Sequence, residues 1–369
     1  MADGYAPLRV TIVIGTRPEL IKLAPLARAI TRRGGRAHLL LTGQHPALDL
    51  AAAGLDRYAH TRLDLDLNGL EPPAAAEVIA QACAAALPAT TPDWVLVQGD
   101  TTSALGGAIG AVRVGLRLAH VEAGLRTGDP AQPWPEESFR VQIDGLSDLL
   151  LAPTPTARDN LAAEGVTGTV LVTGNTGMDA LRELRLITAV PDRKPKAPPL
   201  VLVTVHRREN LEVMGRIAEG LARAARECTY RAVLVTHLNP DTAARARAAF
   251  DGLAFVQLRA PQTPGELLCL MLRARVILSD SGGISEEAPT LGVPLLILRE
   301  KTERPEAVAM GGARLVGSDP GRIARELTRL ICEPTAHQAM AVPSELFGDG
   351  HASERIADAL LAWVPAARR

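Results

Sequence analysis

Apolar and polar positions along this chain fall into short blocks that alternate between two periods. Residues 8 to 14 form a mostly apolar run rich in β-branched side chains, the pattern of a buried strand. Similar runs at 38 to 42, 94 to 98, 118 to 121, 149 to 152 and 170 to 173 predict further strands. Between them lie stretches of helical character. Residues 72 to 88 are alanine-rich, a second helix is predicted from about 102 to 112, and a third opens at Pro-Trp-Pro-Glu-Glu (133 to 137). Strand and helix therefore alternate from residue 8 to about 185, which argues for a parallel sheet wrapped by helices. Residues 189 to 199 are polar and proline-rich and read as a linker. The alternation then restarts, with strands at 200 to 205, 232 to 236, 276 to 278 and 295 to 298, and helices at 284 to 291, 320 to 333 and 352 to 364. The fold class expected is α/β: two doubly wound halves, 1 to 188 and 200 to 351, facing a cleft lined by their strand ends.

Length and composition agree with this division. A chain of 369 residues is comfortable for two domains. With 47% hydrophobic and 22% charged residues it has the makings of ordinary soluble cores. The net charge of −1, with basic residues spread along the chain, argues against nucleic acid or an anionic membrane as the main partner. No apolar run is long enough to span a bilayer as a helix. The first residues, Met-Ala-Asp-Gly-Tyr-Ala-Pro, lack the basic-then-apolar pattern of a secretion signal. Cys83, Cys228, Cys269 and Cys332 are widely separated and read as reduced thiols of a cytoplasmic protein. The eight histidines are scattered, without metal-ligand spacing.

Candidate chemistry gathers where strands end. Ser-Asp-Ser-Gly-Gly-Ile-Ser-Glu-Glu (279 to 287) follows an apolar run and precedes a helix. Ser281, Gly282 and Gly283 there suit a diphosphate, because the first N–H groups of a helix lack intrahelical partners and the helix dipole adds positive potential. Glu287, a turn further on, is placed to accept hydrogen bonds from sugar hydroxyls. The same glycines also suit a strand–helix turn that needs them only for packing. Gly15-Thr16-Arg17-Pro18 makes a similar turn, with Thr16 as N-cap; Arg17 and Lys22 read either as a solvated basic pair or as anion contacts. Asp100 follows a buried strand, where open parallel sheets place ligands, and is equally an N-cap candidate for the next helix. Glu122 ends another strand. Glu136 opens a helix whose first turn favours acids in any case. Carboxylates on one side and an anion-binding wall with His206 on the other form an arrangement for proton transfer on a nucleotide-linked substrate.

Read together, the motifs resemble one family. They are Gly-Thr-Arg-Pro-Glu-x-Ile-Lys (15 to 22), Gly-Asp-Thr-Thr (99 to 102), His-Val-Glu-Ala-Gly-Leu-Arg-Thr (120 to 127), Pro-Trp-Pro-Glu-Glu (133 to 137), Gly-Asn-Thr (174 to 176), His-Arg-Arg-Glu-Asn (206 to 210), Asp-Ser-Gly-Gly-Ile-x-Glu-Glu-Ala-Pro (280 to 289) and Thr-Glu-Arg-Pro-Glu (302 to 306). In this order they resemble the non-hydrolysing UDP-N-acetylglucosamine 2-epimerases nearly end to end. The resemblance implies a GT-B fold whose last helix, within 352 to 369, crosses back onto the first domain. It implies a homodimer, a nucleotide-sugar substrate, and neither metal nor nicotinamide. It also implies the reaction: removal of the proton at sugar carbon 2 with expulsion of UDP, a 2-acetamidoglucal intermediate, and re-addition with protonation from the opposite face. Carried over by motif, Asp100, Glu122 and Glu136 are the acid–base carboxylates and His206 lies near the diphosphate. Arg17, Lys22, Ser281, Gly282 and Gly283 match phosphate-side contacts, Glu287 the ribose contact, and Gln262 and Arg304 further nucleotide-pocket positions.

The sequence departs from the family in three places. Leu267 stands where the family usually has a phenylalanine beside the nucleobase. The stretches at 44 to 47 and 68 to 74 match only partly the region that binds a second, activating substrate molecule in bacterial members, so little such activation is expected. Gly177 and Met178 replace an aliphatic pair, a change read as packing.

Overall fold

The structure is a computed structural model that describes residues 7–189, 197–205, 210, 212–236 and 239–363. The chain divides into two compact units, one running to Ala180 and resuming at Phe347, the other from Leu181 to Leu346.

In the first unit seven strands form one sheet: β1 (Arg9–Ile14), β2 (Arg36–Leu41), β3 (His60–Arg62), β4 (Trp94–Gln98), β5 (Leu118–Val121), β6 (Leu149–Ala152) and β7 (Thr169–Val172). Their order is β3-β2-β1-β4-β5-β6-β7, and every neighbouring pair is parallel. Between the strands run α1 (Arg17–Arg32), α2 (Pro72–Thr90), α3 (Thr102–Arg113), α4 (Glu136–Leu146) and α5 (Pro155–Glu164); α6 (Thr176–Ile187) follows β7. The apolar runs are continuous because both faces of the sheet are covered. Along β1, Ile12 and Ile14 join a core with Leu23 and Leu26 of α1, while Val13 between them joins another with Ile79 of α2 and Ala108 of α3. This is the two-residue alternation of a strand with a core on each side.

The second unit repeats the plan with β8 (Leu200–Thr204), β9 (Arg231–Val235), β10 (Val256–Arg259), β11 (Ala274–Ser279), β12 (Leu295–Ile297) and β13 (Ala313–Leu315). The order is β10-β9-β8-β11-β12-β13, again parallel throughout. Its helices are α7 (Met214–Glu227), α8 (Pro240–Phe250), α9 (Pro264–Arg273), α10 (Gly282–Thr290), α11 (Pro305–Ala309), α12 (Pro320–Cys332) and α13 (Pro334–Met340). Val201, Val203, Val276 and Leu278 of the central strands pack with Ile217 and Leu221 of α7 and with Ile323 and Leu327 of α12. In both sheets the first strand lies beside the fourth, so the winding reverses between β1 and β4 and again between β8 and β11. The crevice at such a reversal is where open α/β sheets receive ligands.

Three strands were not expected from the sequence: β3, β10 and β13. Each is short and closes a sheet edge, and their burial is only partial. An edge strand has one paired neighbour and less cover, so it carries no long apolar run to reveal it. The last helix, α14 (Ala352–Ala362), packs on α1 within the first unit. Ile356 and Leu360 enter the core that holds Leu23 and Leu26, and Arg33 is paired with Asp358. Among the described residues no helix is long and apolar enough to cross a membrane.

Candidate active site

At the carboxyl end of β1 the chain turns through Gly15 and Thr16. A Cβ on Gly15 would stand 1.7 Å from Ser103 Oγ, so only glycine lets this turn lie against the start of α3. Thr16 caps α1 as expected, and Glu19 completes a capping box. The backbone N–H groups of Gly15 and Thr16 donate to Glu19 Oε2 at 2.7 and 2.6 Å, and the Thr101 hydroxyl donates to its other oxygen. Burial raises the Glu19 carboxyl above its ordinary pKa, against the opposing pull of those hydrogen bonds. Glu19 thereby ties the turn after β1 to the turn after β4. Thr101, not Asp100, is the N-cap of α3, accepting from Ala104 N at 3.0 Å. The capping reading of Asp100 therefore does not hold: capping is done by its neighbour.

Asp100 instead receives Arg140 of α4, whose Nε lies 3.1 Å from Oδ2 and whose Nη2 also contacts that oxygen. Arg140 is buried, and its Nη1 donates to Glu137 Oε2 at 2.6 Å. The other oxygen of Glu137 accepts from the N–H groups of Thr127 and Gly128 at 2.8 and 2.9 Å. Glu122, at the end of β5, is buried in the left-handed region at φ 70°. For a residue with a Cβ that conformation is strained by roughly 1–3 kcal/mol and persists only where surroundings hold it. Here Lys22 Nζ and Gln98 Nε2 both reach Glu122 Oε2 at 2.6 Å. Lys22 is therefore no solvated surface base; its ammonium sits on a carboxylate. Glu136 is half-buried at the first position of α4, one turn before Arg140. Arg17 is partly exposed, and its backbone N–H points to His45 Nδ1 at 3.3 Å.

Deeper in the same unit, His120 of β5 is fully buried. Its Nδ1 is 2.6 Å from Asp144 Oδ1 and its Nε2 is 2.8 Å from the Gly99 carbonyl oxygen. Asp144 Oδ2 accepts from Gly124 N at 3.1 Å and from Arg126 Nη2 at 2.7 Å. Burial alone would raise the Asp144 carboxyl; the charge and hydrogen bond of His120, and then those of Arg126, outweigh it and hold its pKa below the ordinary value. Glu137, Arg140 and Asp144 recur at helical spacing, so one stripe of α4 braces the loops after β4 and β5. Sequence reasoning missed Glu19, Gln98, His120, Glu137, Arg140 and Asp144. The available signal was that stripe, lying among the buried apolar positions Phe139 and Ile143.

In the second unit β11 runs into Asp280 and the glycine turn. Ser281 N donates to Ser279 Oγ at 3.0 Å, and that hydroxyl meets Thr204 Oγ1 of β8 at 2.7 Å. Asn210 Nδ2 donates to Asp280 Oδ2 and to the Leu298 carbonyl, each at 2.9 Å, joining the turn to the end of β12. Ser281 stands at the N-cap of α10 without a side-chain cap hydrogen bond. The two glycines have different reasons. A Cβ on Gly282 would lie 2.8 Å from Arg304 Nη1, so that glycine makes room for the guanidinium. A Cβ on Gly283 would meet nothing nearer than Glu287 Oε1 and Ser281 Oγ at 3.9 Å, ordinary contacts, so packing does not require glycine there. Arg304 belongs to a buried chain of alternating charge: Arg299 to Glu303 at 2.5 Å, Glu303 to Arg304 at 2.6 Å, and Arg304 to Glu286 at 2.5 Å. Glu287 is partly exposed on α10, and Leu267 is partly exposed on α9. Gln262 Nε2 donates to the Ala260 carbonyl at 2.7 Å. His206 lies outside the described residues.

Both units thus carry charged or hydrogen-bonding groups at the carboxyl edge of a winding reversal, and comparison with known proteins names the family. The family model described as UDP-N-acetylglucosamine 2-epimerase matches residues 28–361. This chain belongs to the UDP-N-acetylglucosamine 2-epimerase family. It is accordingly an isomerase of the epimerase type. The UDP-N-acetylglucosamine 2-epimerase of Escherichia coli (strain K12) is 38% identical over 375 residues, covering 96% of this chain and 98% of that protein. Among solved structures, the UDP-GlcNAc 2-epimerase from Neisseria meningitidis bound to UDP-GlcNAc superposes with a TM-score of 0.89 at 35% identity, covering 96% of this chain and 100% of that one. MurG of Acinetobacter baumannii, at 14% identity and a TM-score of 0.62 over 96% of this chain and 100% of that one, shares the fold. The architecture of this epimerase family member is GT-B-like, as its motif order implies.

Proposed function

We propose that this protein interconverts UDP-N-acetylglucosamine and UDP-N-acetylmannosamine by eliminating UDP and adding it back. The observation that carries the reading is the pair Asp100 and Glu122, each held by a cation at the reversal of the first sheet. The UDP-GlcNAc bound to the Neisseria meningitidis relative supports the choice of substrate.

In the forward direction a base takes the proton from sugar carbon 2. The electron pair of that C–H bond becomes the C1–C2 double bond of 2-acetamidoglucal, and the C1–O bond breaks with its electrons leaving on UDP. Return of the diphosphate oxygen to C1, with a proton delivered to the opposite face of C2, completes the epimerisation. The carbon-2 proton is weakly acidic, so positioning and stabilisation of the leaving group supply most of the acceleration. Asp100, Glu122 and Glu136 are the proposed proton-transfer set. The helix start at Ser281, Gly282 and Gly283 is proposed to hold the departing diphosphate; Arg17 and His206 are proposed as phosphate-side groups. Glu287 is proposed for the ribose, and Gln262 for the nucleotide pocket. Arg304 supports the turn from beneath Gly282, and Lys22 holds the Glu122 carboxylate in place. The working form is proposed to be a homodimer, to be read by sedimentation.

The test is NMR of the purified protein with UDP-N-acetylglucosamine in heavy water. The manno epimer and deuterium at carbon 2 are expected together. Hydrolysis without epimer, or no exchange, overturns the reading.

A further inference from the structure

The surroundings of His120 determine its protonation state, and that state bears on how the proposed proton-transfer groups are held. A carbonyl oxygen only accepts, so the Gly99 contact at 2.8 Å requires a proton on Nε2. Asp144 Oδ1, 2.6 Å away, is an acceptor for a proton on Nδ1 as well; its other oxygen accepts from Arg126 and Gly124, the arrangement of an ionised carboxylate. A neutral imidazole has only one N–H. The charges agree. Arg126 is bound by both Asp144 and Glu164; a neutral ring would leave this cluster with an excess negative charge, and a charged ring brings it to zero. A buried charge is tolerated when paired and hydrogen-bonded.

We propose that His120 carries a proton on both ring nitrogens and is a positioning residue. It joins the Gly99 carbonyl, one residue before Asp100, to Asp144, which in turn holds Gly124 N, two residues after Glu122. One buried cation thus sets the spacing of the two loops that carry the proposed acid–base carboxylates. The charged groups around it are Asp144, which it contacts, Arg126, which shares that carboxylate, and Glu164 beyond.

The first test needs no substrate. Intact protein carrying 15N-histidine is followed by NMR from pH 6.5 to 8.5, with His120 assigned by loss of its signals in His120→Gln. One-bond couplings showing protons on both ring nitrogens throughout are expected; an unprotonated ring nitrogen at neutral pH overturns the proposal. In Asp144→Asn the ring should become neutral, and an imidazolium that persists there overturns the pairing argument. The second test is kinetic and rests on the proposed reaction. Displacing catalytic groups by about an ångström costs about 10² in rate, so His120→Gln should lower kcat by about that factor with KM and UDP affinity unchanged and the pH–rate profile displaced. Wild-type kcat, or a parallel loss of UDP binding, overturns the positioning role. If the glutamine variant does not fold, Asp144→Asn takes its place in the same measurement. A parent protein that turns over no nucleotide sugar defeats the proposed function, while the ring-nitrogen result still judges the imidazolium.

Discussion

At the scale of single residues, Asp100 and Glu122 differ from Glu19 in what holds them. Asp100 and Glu122 are fixed by Arg140 and by Lys22 with Gln98, whereas Glu19 spends its oxygens on a capping box and on Thr101. Replacing Asp100, Glu122 or Glu136 by its amide is expected to retain UDP binding and to reduce turnover by about 10²–10⁴; calorimetry beside a turnover assay checks both halves. The glycine pair makes a sharper contrast. Gly283→Val is expected to fold normally, because a Cβ there meets only ordinary contacts at 3.9 Å, and to weaken UDP binding. Gly282→Ala must displace the Arg304 guanidinium and is expected to lower the melting temperature as well. Equal effects of the two on melting would contradict this division. Leu267 lacks the ring face on which a nucleobase stacks, so Leu267→Phe is expected to tighten UDP binding by no more than about 1–3 kcal/mol. Affinities for UDP, CDP, GDP and dTDP measured side by side decide whether uridine is the preferred base.

At the scale of elements, α4 is the spine of the first unit's site. Its inner stripe combines the apolar Phe139 and Ile143 with Glu137, Arg140 and Asp144; Arg140 reaches the loop after β4, and Glu137 and Asp144 the loop after β5. Removing one partner from a buried charged pair leaves the other uncompensated, so Asp144→Asn is expected to destabilise the fold by about 3–5 kcal/mol. The pH dependence follows from linkage. The native Asp144 pKa lies below the ordinary value, so its contribution is fully present above the unfolded pKa of about 3.9 and is lost as pH falls through the native value. Melting temperatures of the parent and of Asp144→Asn, taken from pH 6 downward, should therefore converge in acid. A constant gap would show that the carboxylate's charge is not what stabilises. The helix itself was legible from Pro-Trp-Pro-Glu-Glu; its charged inner stripe was not read, because burial of a charge depends on partners in other elements, as far as 40 residues away for Arg140 and Asp100.

At the scale of the whole molecule, the same winding is used twice, and in both sheets the groups of interest stand at the reversal. The C-terminal helix α14 is the long-range element of the first unit: Ile356 and Leu360 complete a core begun by β1 and α1. Leu360→Ala is expected to cost about 2–5 kcal/mol, seen as a lower midpoint in urea unfolding. If the midpoint is unchanged, the helix merely rests on a core complete without it.

The sequence by itself determined the alternation of strands and helices, the two-part α/β plan, the strand-end carboxylates and the glycine turn, because covered parallel strands require continuous apolar runs and tight turns require particular residues. Its motif order was enough to indicate the family. Tertiary structure alone decided the roles of individual polar side chains. Whether Asp100 caps a helix or meets Arg140, whether Lys22 is solvated or sits on Glu122, and whether a glycine serves a guanidinium or is not required by packing all depend on atoms brought together from distant parts of the chain. Three of the four edge strands, β3, β10 and β13, escaped notice for a related reason: half-covered backbone needs no apolar pattern, only a neighbour with which to pair.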